Sequence, residues 1–339
     1  MRVFRRTSIF IIAALAVAAC GSASGSSSAG SSAGSSAKTD VRIVATFIDS
    51  IPAMASLKVA DARGYFRDAG LNLTFASAIG GGDTLRPLTT GDADIAIGSP
   101  AASTLAVEQN PNLKIAAIWL PYNPFYFAGV KPLTGLNGTK LGGSVGASTV
   151  NLLINGLNQE MSANFVSVKA GTGSMADDWA AVKAGDLQAS WVMQPFLSQI
   201  AGADHAIVDI DAAKYIPDYP ADFVVVNKTF ALAHAAAIRS FFIAVQRIFS
   251  EFPDQAKQAA LGADLAKVMV FPASVIDHYL STDGTTRLSK TYSLKMNANV
   301  LQNISNLLQA SKLITGPVNW SQVVDQSYLP TADRLGSLP

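Results

Sequence analysis

Along residues 41–226, short apolar runs of β-forming residues alternate with stretches whose apolar side chains recur at helical spacing, which is the pattern of an α/β chain. Val41-Arg42-Ile43-Val44-Ala45 predicts a strand, and after a loop through Ser50 and Pro52 a helix is expected over 53–62, ending at Gly64. A second strand over 71–76 opens into Gly80-Gly81-Gly82-Asp83. A helical stretch with Leu85 and Leu88 then runs to Gly91-Asp92, and Ile95-Ala96-Ile97 is a third strand ending at Ser99-Pro100.

The same order returns further along. A strand near Lys140-Leu141 leads through the loop Gly142 to Ala147 into a helix over 150–157, then a strand over 165–168, a glycine loop at 171–173, a helix and a Gly-Asp pair. Asp83 stands eight residues before Gly91 and Asp177 eight before Gly185, and each Gly-Asp pair is followed by a strand and then by Pro100 or Pro195. Alternation alone is common to α/β proteins, but these matched positions favour two similar lobes over one long sheet. After a strand over 223–226 the chain reads as helix. Helices are expected over 237–249, 253–270 and 294–313, the first with Ile238, Phe241, Phe242, Val245, Ile248 and Phe249 on one apolar face.

The first twenty residues differ in kind. Arg2, Arg5 and Arg6 precede an apolar run from Ile9 to Ala19, which has the form of an export signal and is too short to span a bilayer. Small residues then lead to Cys20, the single Cys of the chain, as in the lipobox of a bacterial lipoprotein. Ordinary cleavage with an incidental Cys20 is the alternative. Residues Gly21 to Ala37 are all Gly, Ser or Ala and predict a flexible tether with a reach of about 20–25 Å.

Composition removes several classes of function. The 339 residues carry 25 Lys and Arg against 24 Asp and Glu, and losing the three Arg of residues 1–19 takes the formal charge from +1 to −2. No basic field is left for a nucleic acid. One Cys makes neither an intramolecular disulfide nor a Cys-based zinc site, and no two of the three His stand at metal-ligand spacing. No cofactor and no metal are expected.

Four segments carry a resemblance: Ala62-Arg63-Gly64-Tyr65-Phe66-Arg67-Asp68-Ala69-Gly70-Leu71, Leu88-Thr89-Thr90-Gly91-Asp92-Ala93-Asp94-Ile95-Ala96, Leu141-Gly142-Gly143-Ser144-Val145-Gly146-Ala147-Ser148-Thr149, and Trp191-Val192-Met193-Gln194-Pro195-Phe196. The chain resembles the solute-binding proteins of ABC importers, in the NMT1/THI5-like group that handles sulfonates, taurine, nitrate and thiamine-pyrimidine precursors. That group often has Trp-x-x-Pro or Trp-Glu-Pro at the fourth segment. Here Gln194 stands where an acid is common, and an extra residue separates Trp191 from Pro195. The resemblance implies a two-lobed α/β periplasmic-binding-protein fold of type II, the second lobe inserted in the first and the C-terminal helices packed on lobe one. Its expected parts are a signal over 1–19, a lipidated Cys20 and tether over 20–39, lobe one over 40–130 plus 223–330, and lobe two over 131–222. It also implies a small-molecule solute, ABC transporter permease and ATPase subunits as partners, a lipid anchor outside the cytoplasm and a monomer.

Ligands of open α/β sheets bind beyond the carboxyl ends of strands, where loops enter helix N-termini. In lobe two this selects Ser144, Gly146, Ala147, Ser148 and Thr149, the last two as caps whose helix has free N–H groups. A plain cap with no ligand is the alternative. In lobe one it selects Phe47, Asp49 and Ser50 after the first strand, Gly81 after the second, and Ser99 and Pro100 after the third. Trp119, Tyr122 and Asn123 fall in the densest aromatic stretch, where Phe125 and Phe127 read as buried strand residues. Trp191 and Gln194 complete the candidates. Aromatic residues outnumber cations in these loops, where only Arg86 and Lys131 carry positive charge, so an organic solute with a polar or acidic group is expected over a bare inorganic anion.

Two enzymes enter as alternatives. Gly142-Gly143-Ser144-Val145-Gly146 fits the G-x-S-x-G elbow of serine hydrolases, although no His-Gly-Gly motif accompanies it. A pyrimidine-precursor synthase on the same fold needs iron and cysteines in its relatives, and this chain has no Cys beyond residue 20. A ligand-free structural lipoprotein is the third alternative.

Overall fold

The computed structural model describes residues 38–144 and 146–339, so the expected signal, Cys20 and the tether from Gly21 to Ala37 lie outside the described residues. The described chain begins β1 (Thr39–Thr46), α1 (Pro52–Ala62), α2 (Tyr65–Asp68), β2 (Leu71–Ala78), α3 (Gly82–Thr90), β3 (Ile95–Gly98), α4 (Pro100–Gln109) and β4 (Leu113–Trp119). It continues β5 (Tyr126–Gly129), β6 (Asn137–Gly142), α5 (Thr149–Glu160), β7 (Asn164–Val168), α6 (Met175–Ala184), β8 (Ser190–Val192), α7 (Phe196–Asp204) and β9 (Ile207–Asp211). Last come β10 (Asp222–Asn227), α8 (Lys228–Ala233), α9 (Ala235–Phe249), α10 (Gln255–Val268), α11 (Ala273–Thr282), α12 (Thr285–Thr291), α13 (Ala298–Ala310) and α14 (Trp320–Val323).

The first sheet runs β2-β1-β3-β10-β4, with β1 parallel to both neighbours and β10 antiparallel between β3 and β4. Its inner strands are buried on both faces, which is why β3 and β10 read as unbroken apolar runs, not as alternating ones. The second sheet is built from β6 paired parallel with β7, and from β5 paired antiparallel with β8 and β9. A parallel bridge from Leu141 to Ala189, with Gly142 N–H donating to Ala189 O at 2.8 Å, joins the two pieces. The order is therefore β7-β6-β8-β5-β9, which repeats that of the first sheet strand for strand. Residues 126–129, assigned above to lobe one, hydrogen-bond in this second sheet, because β5 pairs with β8 and β9 and not with its sequence neighbour β4.

The matched Gly-Asp pairs have a local cause. Gly91 and Gly185 each follow the last residue of a helix with φ of +82° and +87°, and the N–H groups of Asp92 and Asp186 return to carbonyls of the last turn. Only a residue without Cβ takes this conformation at little cost. Around the first sheet, the apolar face of α9 is buried as its spacing predicts, Phe241 stacks on Phe66 at 5.7 Å, and Trp320 of α14 meets Phe223 of β10 edge-on at 6.2 Å. A smaller apolar cluster around Trp179, Val192, Leu197 and Ile200 serves the second sheet. Among the described residues no helix is long and apolar enough to cross a membrane.

Candidate binding cleft

The carboxyl ends of β1, β2 and β3 face the loop that leads from β6 into α5. Between them lies a narrow cavity that opens to solvent. Of the expected residues, Phe47, Gly81, Ser99, Ser144, Ser148, Thr149 and Trp191 line it, and sequence reasoning missed Thr46, Phe125, Met193 and Asp222.

Each wall is held by backbone conformations and caps. Phe47 leaves β1 with φ of +47°, a left-handed geometry costly for a bulky residue, and its carbonyl accepts from Ser50 and Ile51 N–H so that α1 starts at once. Ser99 caps α4, and its hydroxyl donates to Ala147 O across the cleft at 2.9 Å. Ser148 caps α5 by accepting Asn151 N–H at 3.1 Å. Asn151 reaches back from the third helical position, as the partner in a capping box does: its side chain donates to Ser144 O and Gly146 O and accepts Ser144 N–H at 3.0 Å. Thr149 Oγ1 donates to Ala221 O at 3.1 Å, and Tyr219 Oη donates to Thr149 O at 2.5 Å. Both of these bonds tie the start of α5 to the segment that leads into β10.

Aromatic rings form the remaining wall. Trp191, on β8, has Phe47 on one side at 6.4 Å and Phe125 on the other at 6.2 Å. Its indole N–H is buried without a partner. Behind it lies Asp178, whose carboxyl is pushed up to about 7 by burial, against the opposing pull of the Ala170 N–H and the neighbouring Trp191 indole. Phe47 and Trp191 also border an adjoining groove with Ser50, Met175, Phe196 and Phe271.

Among the described residues, Asp222 is the one ionisable residue lining the cavity. It opens β10, and because that strand runs antiparallel to β3, its first residue lies at the edge where β3 ends, with Phe223 opposite Gly98. It is 4% exposed, and burial pushes its carboxyl up to about 7. The sequence signal was an acid directly ahead of an unbroken apolar strand, at a position expected only to be a crossing between lobes.

The other expected residues lie elsewhere. Trp119 is the last residue of β4, fully buried and edge-on to Phe249 at 4.8 Å, because the strand runs to its end instead of releasing a loop there. Asn123 is fully buried and holds the chain between sheets, donating to Ile216 O at 2.9 Å and accepting Phe125 N–H at 3.0 Å. Tyr122 lies in a separate surface groove with Lys290, whose ammonium sits 5.6 Å from its ring. Asp49 pairs with Lys58, and Pro100 is buried as the first residue of α4. Gly146 and Ala147 face an outer groove beside Arg86, whose guanidinium pairs with Asp83. Gln194 accepts Ser198 N–H and Oγ and so caps α7, since Pro195 at the cap position has no acceptor side chain. Ser144 sits five residues ahead of α5, and among the described residues no His hydrogen-bonds to it, so the strand-to-helix elbow of a serine hydrolase is not formed.

The family model described as NMT1/THI5 like matches residues 51–256. No curated protein matches the chain. Solved structures of similar fold include the alkanesulfonate-binding protein SsuA from Xanthomonas axonopodis pv. citri bound to MOPS, 15% identical, with a TM-score of 0.65 over 87% of this chain and 99% of that one. The ligand binding component of an ABC-type import system from Staphylococcus aureus, with zinc bound, is 15% identical, with a TM-score of 0.68 over 86% and 98%. The desulfurization enzyme DSZB is 13% identical, with a TM-score of 0.59 over 86% and 97%. At these identities the likeness shows the two-lobed periplasmic-binding-protein fold and nothing about the ligand.

Proposed function

The chain belongs to the NMT1/THI5-like family, and from that premise we propose that it captures a small organic solute between its two lobes and delivers it to the permease and ATPase subunits of an ABC importer. The observation that carries this reading is the cavity itself. It lies where the strand ends of both sheets converge, it is walled by three rings, and the hydrogen bond from Ser99 to Ala147 O spans it. Ser148, Thr149, Phe47, Ser99 and Trp191 are its contact residues, with Ser144 and Gly81 at its mouth. The lobes divide between β4 and β5 and between β9 and β10, so the crossings fall in 120–125 and 212–221. The protein acts outside the cytoplasm as a monomer held by a lipid on Cys20, with no enzymatic activity and no cofactor.

Mass spectrometry of the purified protein should find one copurifying small molecule. That molecule, returned at a hundred times its dissociation constant, should stabilise the fold by about 2.7 kcal/mol and reduce the radius of gyration. A protein that carries no solute, and neither gains stability nor compacts with any compound of a broad screen, is a structural lipoprotein instead. Replacing Cys20 with Ala should abolish labelling by a palmitate analogue.

A further inference from the structure

We propose that the solute carries a nitrogen donor, a protonated amine or amidine on a flat apolar body, and that Asp222 accepts from it. This rests on the solute-capture reading above and specifies its ligand. Buried carboxylates elsewhere in the protein have donors. Asp94, 5% exposed, accepts from Arg42 three times, through its backbone N–H at 2.8 Å, Nε at 3.0 Å and a terminal nitrogen at 2.8 Å. Asp178 and the half-buried Asp209 each keep one donor, Ala170 N–H at 3.0 Å and Leu133 N–H at 2.9 Å on Oδ1, although the Oδ2 of each is buried without a partner. Asp222 is as buried as Asp94, lines the cavity, and receives no hydrogen bond from any described side chain or backbone group. An acid taken out of water without a partner is costly, and the cost is removed when a ligand supplies the donor.

The rest of the lining agrees. Three cavity hydroxyls already commit their protons to carbonyls: Thr46 to Ile97, Ser99 to Ala147 and Thr149 to Ala221. Their remaining lone pairs and the Asp222 carboxylate make a surface that accepts hydrogen bonds. Among the lining residues no Lys or Arg meets an anion. Phe47, Phe125 and Trp191 give flat apolar area and ring faces that attract a cation. Of the organic solutes with a polar or acidic group expected from the sequence, this lining favours one whose polar group is basic.

Titration calorimetry of the full-length protein with benzamidine, benzamide, benzoate and benzenesulfonate separates the possibilities, since the four share a ring and differ in charge. Benzamidine should bind at least tenfold tighter than benzamide, and the two anions should not bind. Asp222→Asn, checked for folding by circular dichroism, should lose at least tenfold for benzamidine and leave benzamide unchanged. Tighter binding of either anion than of benzamidine overturns the nitrogen-donor inference and leaves solute capture intact. So does unchanged benzamidine affinity in the folded variant. If none of the four binds and no solute copurifies, the inference falls together with solute capture.

Discussion

The two sheets have one plan and two chemistries. In β2-β1-β3-β10-β4 and in β7-β6-β8-β5-β9 the fourth strand runs antiparallel into the edge where the third ends. In the first sheet Phe223 stands opposite Gly98, the end of β3; in the second Tyr126 stands opposite Val192, the end of β8. The residue just before each pair reaches the cavity, and it is Asp222 in one lobe and Phe125 in the other. A repeated backbone thus delivers an acid from one side and a ring from the other to the same space. Strand order decides which positions reach the cleft, and the side chain at that position decides what the cleft accepts.

Mutations and pH can test that contrast. The largest effect on binding is expected in the aromatic wall: Trp191→Ala should weaken solute binding and also cost about 3 kcal/mol of stability in urea denaturation, for loss of a buried ring beside a cavity. Its counterpart on the first sheet, Ile97→Ala, is expected to cost a similar amount and to weaken binding less, because Ile97 does not line the cavity.

Each lobe also buries one acid raised to about 7, Asp222 in the first and Asp178 in the second. A folded-state value above the unfolded one makes the folded form bind the proton more tightly. Stability should therefore rise as pH falls from about 7 toward the unfolded value near 4 and level off below it, with a gain on the order of 4 kcal/mol for a fully buried acid and less for Asp178. Melting temperatures of the ligand-free protein across that range should show the rise, and Asp222→Asn should remove its own share. Asp177, held by Thr172 below the usual carboxylate range, acts oppositely and loses its contribution only as pH falls below about 4.

A smaller effect belongs to the caps. Ser148→Ala and Ser99→Ala should each cost about 1 kcal/mol. The second also removes a bond across the cleft, so only it should enlarge the radius of gyration of the loaded protein. The least effect on binding is expected from Tyr122→Ala, half-buried in a groove outside the cavity: about 1 kcal/mol in stability, with solute affinity unchanged by calorimetry. A loss of affinity there would place the ligand in the Tyr122 groove instead.

The alternation of elements could be read from the sequence because its causes are local. The inner strands are buried on both faces, and Gly91 and Gly185 end helices in a conformation that suits glycine. The stretch from Ala62 to Leu71, one of the segments that carry the resemblance, turns out to be scaffold. Arg63 links α1 to Glu251 and Asp264, Phe66 is fully buried, and Gly64 and Gly70 turn the chain. Half the cleft was also accessible, since Ser99, Ser148 and Phe47 follow from strands leading into helices. Trp119 and Asn123 were misplaced because aromatic density does not say whether a strand has ended. Asp222 stayed hidden because its place at the cleft depends on where β10 inserts, a pairing made with residues far away in sequence.

That insertion also orders the assembly of the chain. β10 separates β3 from β4, yet it is made only after the whole of the second sheet. Until it arrives the two apolar strands have unpaired inner edges, the kind of surface that adheres to other chains, and closing so long a loop is slow. The second sheet has no such dependence, for all five of its strands lie between residues 126 and 211. During synthesis the inserted lobe can therefore complete its sheet while the lobe that surrounds it is still open, and a chain ended between Asp211 and Asp222 would have one finished sheet and one split in two.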